Sequence, residues 1–136
     1  MRHINAYCLL NHPLTANQIA ELESRFGVER VVYPGPELGA AWGKVPAEKT
    51  LPAAYLLPFV RWLSALKKGD VVILQGEAGA TFALVDFVLA RGFTALHSVT
   101  RRVARESREG EKVFRSHVFE HVCFRRYAGL APFPPP

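Results

Sequence analysis

The 136-residue chain reads as an α/β protein: a Rossmann-like, mostly parallel sheet with helices on both faces, closed by a C-terminal β-hairpin. Three observations predict this. Apolar runs at 4–10, broken only by Asn5, and at 71–74 suit strands buried on both faces, as the central strands of a parallel sheet are. Segments of helical spacing alternate with the strand-like runs. After residue 100 the helical pattern ends, and two long arms with a period of two flank a glycine turn.

In chain order, the first strand ends at Asn11-His12-Pro13. Thr15 and Gln18 have the spacing of a capping box, and the helix they start carries Ile19, Leu22 and Phe26 on one face before stopping at Gly27. The segment 28–33 is a second strand, ended by Pro34-Gly35-Pro36, and a short helix is expected over 37–42. Pro52 suits the first position of the next helix. Pro58 lies inside the same pattern, so that helix is either kinked or starts there. A third strand over 71–74 leads into a glycine-punctuated turn, Gln75-Gly76-Glu77-Ala78-Gly79-Ala80-Thr81, and a helix that stops at Gly92. A strand over 93–99 follows. The arms 101–107 and 111–127 form the hairpin around Arg108-Glu109-Gly110. In the second arm Phe114, Val118, Val122 and Phe124 share one face, and Arg115, His117, His121 and Arg125 the other. One domain over 1–127 is expected, with a Pro-rich tail, 128–136, that is extended or disordered.

Hydrophobic residues make up 49% of the chain and charged residues 21%, proportions of a globular protein. The apolar run begins directly after Met1-Arg2-His3, with no leader pattern, and no apolar stretch reaches membrane-spanning length, so a cytoplasmic protein is expected. Cys8 and Cys123 lie in strand-like segments and form neither a CxxC pair nor a zinc spacing. Glu77 and Asp86 stand alone, so neither a metal site nor a cofactor is expected. The net charge of +5 favours an anionic partner.

Ligands of open parallel sheets bind beyond the carboxyl ends of the strands, near the point where strand order reverses. Two loops qualify: Asn11 to Thr15, and Gln75 to Thr81. In the second, Gly76 and Gly79 would let the backbone approach a phosphate, the helix start would offer free N–H groups, and Thr81 would add a hydroxyl. The loop is neither a Walker A nor a GxGxxG motif; the plain alternative is a turn that only joins strand to helix. His12 at a strand end suits proton exchange near neutral pH, or is turn chemistry. Arg101 and Arg102, taken to lie just past a strand end, are the better-placed basic pair. His97 is expected to be packed, and Arg115, His117, His121 and Arg125 to be a solvated face. With no metal site, cleavage of RNA remains open to this residue set. The substrate's own 2′-hydroxyl is the nucleophile, and the protein positions it and stabilises phosphate charge.

Leu10-Asn11-His12-Pro13-Leu14-Thr15-Ala16-Asn17-Gln18 resembles the N-H-x-L-T-x-x-Q opening of a family of small stand-alone proteins from type III CRISPR loci. Gln75 to Thr81 resembles that family's Q-G-[D/E]-x-G-A-T turn. Thr100-Arg101-Arg102-Val103 and the run from His117 to Arg125 resemble its Thr-Arg stretch and H-V-F-x-H-V-x-F-R ending. The likeness runs over about residues 4–127. It implies a CRISPR-associated ring nuclease of the Csx type, with a domain like the nucleotide-sensing (CARF) domains of CRISPR effectors, acting as a homodimer. It implies cleavage of cyclic oligoadenylate, most often cyclic tetra-adenylate, to linear products with a 2′,3′-cyclic phosphate, which switches off antiviral signalling.

From the residues at the matching positions, His12, Asn11 and Arg101 are expected to be catalytic, and Gln75, Gly76, Gly79, Thr81, Thr15 and Arg102 to bind substrate. No DNA or membrane partner is expected. A sensor that binds the ring without cutting it needs the same pocket, and a protein–protein adaptor is the third reading. The helix over 80–91 bears on assembly. Its strongly polar residues Thr81, Asp86 and Arg91 recur five apart, about 140° around the axis, and make no polar stripe. A helix apolar nearly all round is buried on more than one side, here against the sheet and a second copy of itself.

Overall fold

The computed structural model describes residues 3–130, and most of the expected Pro-rich tail, 131–136, lies outside them. Nine elements follow one another: β1 (Asn5–Leu9), α1 (Ala16–Phe26), β2 (Arg30–Val32), α2 (Pro36–Trp42), α3 (Ala53–Leu63), β3 (Val71–Leu74), α4 (Ala78–Ala90), β4 (Thr94–Glu109) and β5 (Lys112–Arg126). One sheet holds all five strands in the order β2-β1-β3-β4-β5. The first four are parallel and β5 runs antiparallel to β4. The fold is therefore α/β with a mostly parallel sheet.

Each central strand is apolar on both sides because both sides are covered. Tyr7, Leu9, Val72, Leu74 and Ala95 face a core shared with Trp42 of α2, Phe59 and Leu63 of α3, and Leu84 and Val88 of α4. Their neighbours Ala6, Cys8, Val71, Ile73 and Leu96 face the opposite core, with Leu22 of α1 and Phe124 of β5. The alternation along each strand is the pleat itself. Burial in this second core pushes the Cys8 thiol up to about 12, which leaves it inert at neutral pH.

At α1 the local end signals are realised as read. Thr15 Oγ1 accepts from the Gln18 N–H at 3.3 Å, Gln18 Oε1 accepts from the Thr15 N–H at 2.9 Å, and Gly27 ends α1 at φ 65°. Pro52 is the cap of α3 rather than its first helical residue, and Pro58 lies within the helix rather than at its start.

Three expectations change. Ala78 to Thr81 belong to the first turn of α4, so the loop after β3 is only Gln75-Gly76-Glu77. The strand over 93–99 and the first hairpin arm are one 16-residue strand, β4, of which β3 pairs only with Thr94 to Leu96. Past Thr100 β4 pairs with β5 alone, as far as Glu109↔Lys112, giving a two-stranded ribbon roughly 30 Å long. The pairing also jumps from Val99↔Cys123 to Thr100↔His121, so Val122 is an extra residue in a bulge. The bulge reverses the alternation. Arg115, His117 and His121 share a face, but Arg125 lies on the other, opposite His97.

α4 buries Ala80, Thr81, Leu84, Val85 and Val88 within its own chain. Its outer face carries Phe82, Asp86 and Leu89, and the Phe82 ring is 75% exposed. An apolar face thus remains open among the described residues, and Phe82 and Leu89 form it; Leu84 faces the chain's own core.

Candidate functional site

Strand order reverses at β1: the chain passes through α1 to β2 on one side, then returns through α2 and α3 to β3 on the other. The crevice between β1 and β3 at their carboxyl ends is where an α/β sheet takes a ligand. Both expected loops lie there, joined by a hydrogen bond from the Gln75 N–H to the Leu9 carbonyl at 3.1 Å. In this protein the crevice is filled by an indole. Trp42, at the end of α2, is 1% exposed and donates from Nε1 to the Gln75 carbonyl at 2.9 Å. It lies so close to Gly76 that a Cβ there would stand 2.7 Å from the ring. Gly76 is thus explained by the tryptophan packed on it, and needs no phosphate to account for it.

The start of α4 differs from expectation for an electrostatic reason. The Glu77 carboxylate caps the helix, accepting from the Gly79 and Ala80 N–H groups at 2.9 Å each. These bonds, that from Ala80 foremost, hold the Glu77 carboxyl below the usual range. The two N–H groups expected to be free for phosphate already hold an anion. Gly79 is therefore engaged in a cap, and a phosphate would have to displace a carboxylate to reach it.

Two clefts remain at this edge of the sheet, one beside each loop. The first, about 430 Å³, is lined by Gln75, Gly76, Ala78, Thr81, Phe82, Val85, His97 and Tyr127. Gln75 is tied on three sides: its Oε1 accepts from the Ser98 N–H at 2.9 Å, extending the β3–β4 ladder by one side chain. Thr81 is 9% exposed, and its Oγ1 is buried without a hydrogen-bond partner among the described residues. Burial, with the Arg125 charge second, lowers the His97 pKa. Arg125 Nε donates to His97 Nε2 at 3.2 Å, so that nitrogen is an acceptor and the imidazole is neutral. Tyr127 packs on the His97 ring at 4.7 Å and donates its hydroxyl to the Leu74 carbonyl at 2.6 Å. Burial raises the Tyr127 pKa.

The second cleft, about 260 Å³, is lined by Cys8, Leu10, Asn11, His12, Pro13, Tyr33, Pro34 and Gly39. His12 is exposed, and its Nδ1 lies 2.8 Å from the Pro13 carbonyl, which can only accept. Nδ1 therefore carries the hydrogen, and Nε2 is left to take up a proton. The Tyr33 hydroxyl accepts from the Leu14 N–H at 3.1 Å and fixes the loop. Thr15 is spent on the helix cap described above and is not available to a ligand.

Of the expected site residues, Gln75, Gly76 and Thr81 share the first cleft, and Asn11 and His12 the second. Arg101 and Arg102 are not at a strand end. They lie within β4 on the projecting ribbon, three and four residues past Ser98, which is level with Gln75. Arg101 reaches Glu120 at 3.9 Å with its side chain 69% exposed, and Arg102 lies across from Phe119. His97, Tyr127, Phe82 and Trp42 were not anticipated. A signal existed for His97: it follows Leu96, which the alignment of two parallel apolar strands places next to Ile73, so it falls at the strand end.

On the opposite face His121 is expected as solvated but is held. Its Nε2 donates to Glu21 Oε1 at 2.7 Å and its Nδ1 accepts from Ser98 Oγ at 2.5 Å, with the side chain 8% exposed. Glu21 also accepts from the Phe124 N–H and from Arg25. This network fastens the base of the ribbon to α1. Among the described residues no group of His, Cys, Asp and Glu is arranged to hold a metal ion, and no helix is long and apolar enough to cross a membrane.

The model of the family described as Uncharacterized protein MJ1673 matches residues 4–125. Uncharacterized protein MJ1673 of Methanocaldococcus jannaschii is 30% identical over 122 residues, covering 89% of this chain and 95% of the relative. No solved structure matches the chain.

Proposed function

The chain belongs to the MJ1673 family, and from that premise and the geometry of its two clefts we propose that it is a metal-independent ring nuclease for cyclic oligoadenylate, working in the cytoplasm. The observation that carries the reading is the convergence of two motifs. The segments resembling N-H-x-L-T-x-x-Q and Q-G-[D/E]-x-G-A-T, about sixty positions apart in sequence, follow the neighbouring parallel strands β1 and β3 and so come to the same carboxyl edge of the sheet, where the Gln75 N–H donates to the Leu9 carbonyl. In this reading the domain is of the CARF-like Rossmann type, and the ring lies over that edge.

The chemistry is an in-line transfer. The ribose 2′-oxygen bonds to phosphorus, the P–O5′ bond breaks, and the 2′-proton ends on the departing 5′-oxygen. His12 Nε2 takes up the 2′-proton, with the ring oriented by the Nδ1 bond to the Pro13 carbonyl. Asn11 donates to a non-bridging phosphate oxygen. Arg101 neutralises phosphate charge from the ribbon. Two copies packed through Phe82 and Leu89 bring two cleft pairs to one symmetric ring. A sensor that retains the ring uncut is the second reading, favoured by the exposure of His12. Incubating the purified protein with labelled cyclic tetra-adenylate in EDTA tests the proposal. Linear product ending in a 2′,3′-cyclic phosphate supports it, retention without cleavage selects the sensor, and neither result refutes both.

A further inference from the structure

The cleft beside Trp42 contains a feature that folding alone does not explain. A buried hydroxyl without a partner is costly, and proteins rarely keep one without a use for it. Thr81 keeps one on the first turn of α4, in a cleft it shares with Gln75, Gly76, Ala78, Val85 and the rings of Phe82, His97 and Tyr127. A helical threonine ordinarily directs its hydroxyl to the carbonyl four residues back. The Glu77 carbonyl is the one in reach, and it accepts from the Thr81 N–H at 2.9 Å but takes nothing from Oγ1.

We propose that this cleft is a nucleobase subsite: Thr81, which lines it, turns about χ1 to bring its hydroxyl, sealed in the free chain, to the edge of an adenine, and Phe82 covers the face of the base. The cleft volume of about 430 Å³ lies within the range of small-ligand pockets, and its lining is mostly apolar with few polar groups, as a flat heterocycle requires. Phe82 leaves 75% of its surface open in the single chain, enough for one face of the ring to stack on a base while the other meets the second copy. A phosphate is a poor occupant. The cleft has no lysine or arginine in its lining, and the Gly79 and Ala80 N–H groups at the start of α4 already hold the Glu77 carboxylate. The choice of adenine rests on the ring nuclease reading; the choice of a base over a phosphate rests on the lining alone. The phosphodiester is thereby assigned to the His12 cleft and the base to the Thr81 cleft.

Calorimetric titration of the whole chain with adenosine, and separately with ribose 5-phosphate, tests this. Adenosine is expected to bind and ribose 5-phosphate not to. Thr81→Val keeps the shape and removes the hydroxyl. It should weaken adenosine about three- to ten-fold, the equivalent of one hydrogen bond, while the melting temperature stays level or rises. A hydroxyl with only a structural role would show the reverse, unchanged affinity and a lower melting temperature, and would overturn the proposal. In the wild type, adenosine should shift the NMR signals of the Thr81 methyl and the His97 ring. Shifts confined to His12 would place the base in the other cleft and also overturn it. The two readings fail separately. Ring cleavage in Thr81→Val at unchanged adenosine affinity removes the subsite alone; hydroxyl-dependent adenosine binding without ring cleavage removes the nuclease alone.

Discussion

Gly76→Ala should destabilise the protein through Trp42. The added Cβ would stand 2.7 Å from Cε2 and Nε1 and 2.8 Å from Cζ2 of the indole, where carbon contacts settle at about 3.5–4.0 Å. The overlap is close to 1 Å, and the ring cannot yield freely. It is 1% exposed, lies edge-on to Phe59 at 5.4 Å, and is tied to the Gln75 carbonyl. Relieving the clash by forced repacking costs about 1–3 kcal/mol. Turning the indole enough to break its hydrogen bond adds about 0.5–1.5 kcal/mol. A loss of roughly 2–4 kcal/mol follows, a fall in melting temperature on the order of 10 °C. Urea denaturation of Gly76→Ala, Trp42→Leu and the double variant separates the cause from a backbone effect. In the Trp42→Leu background the alanine should cost less than about 1 kcal/mol, giving a clear coupling term. Equal cost in both backgrounds, or a Gly76→Ala change within about 0.5 kcal/mol, would refute the argument that Trp42 dictates the glycine.

Other perturbations address the ribbon, the helix face and the chemistry. Burial pushes the Glu21 carboxyl up, but hydrogen bonds from Phe124, His121 and Arg25 outweigh it and hold the pKa below the usual value. A depressed acid contributes stability that is present above its unfolded pKa and lost as pH falls through the folded one, so melting temperature should drop below about pH 4.5. Glu21→Gln should flatten that decline and cost about 1.5–3 kcal/mol at pH 7, measured by denaturation; an unchanged acid profile would refute the network's role. Phe82→Glu should give monomers by light scattering at stability within about 0.5 kcal/mol of wild type, because the ring is exposed in the single chain; a dimer that persists would move the interface elsewhere. His12→Ala should slow ring cleavage by about 10²- to 10⁴-fold with little change in ring affinity, whereas Arg101→Ala should weaken binding. Equal turnover in His12→Ala and wild type removes His12 from the mechanism.

Much of the fold could be read from the sequence because local chemistry agreed with global placement. The apolar runs marked β1 and β3 as doubly covered, and Thr15, Gln18 and Gly27 bounded α1 as capping chemistry dictates. Two features escaped for physical reasons. A strand does not end where its neighbour ends: β4 outruns β3 because β5 continues to satisfy its backbone, and the alternation of polar residues reads the same inside a sheet and along a free ribbon. The bulge at Val122 then moves Arg125 away from His121, and the sequence does not mark it, because His121-Val122-Cys123-Phe124-Arg125 keeps alternating polar and apolar straight through the extra residue. The candidate clefts lie at strand ends, where the sequence directs attention, but their parts differ from what it suggests. Glycines were assigned to phosphate because nothing local shows that Trp42, thirty-four positions earlier, packs on Gly76. Glu77 looked isolated in sequence, and only the helix start shows that it satisfies the N–H groups a phosphate would need. His97, Tyr127 and Phe82 meet only through the register of β3, β4 and β5 and the placing of α4, which are long-range facts.

The central claim is that the protein cuts a cyclic oligoadenylate by using the substrate's own 2′-hydroxyl. It is tested most directly by comparing cyclic tetra-adenylate with the same ring methylated on every 2′-oxygen, in EDTA and at protein excess. The unmodified ring should be converted to linear product with a 2′,3′-cyclic phosphate, seen by phosphorus NMR, while the methylated ring binds and stays intact. Cleavage of the methylated ring, or linear products carrying only simple phosphate ends, would contradict the mechanism. An unmodified ring left whole would contradict the function.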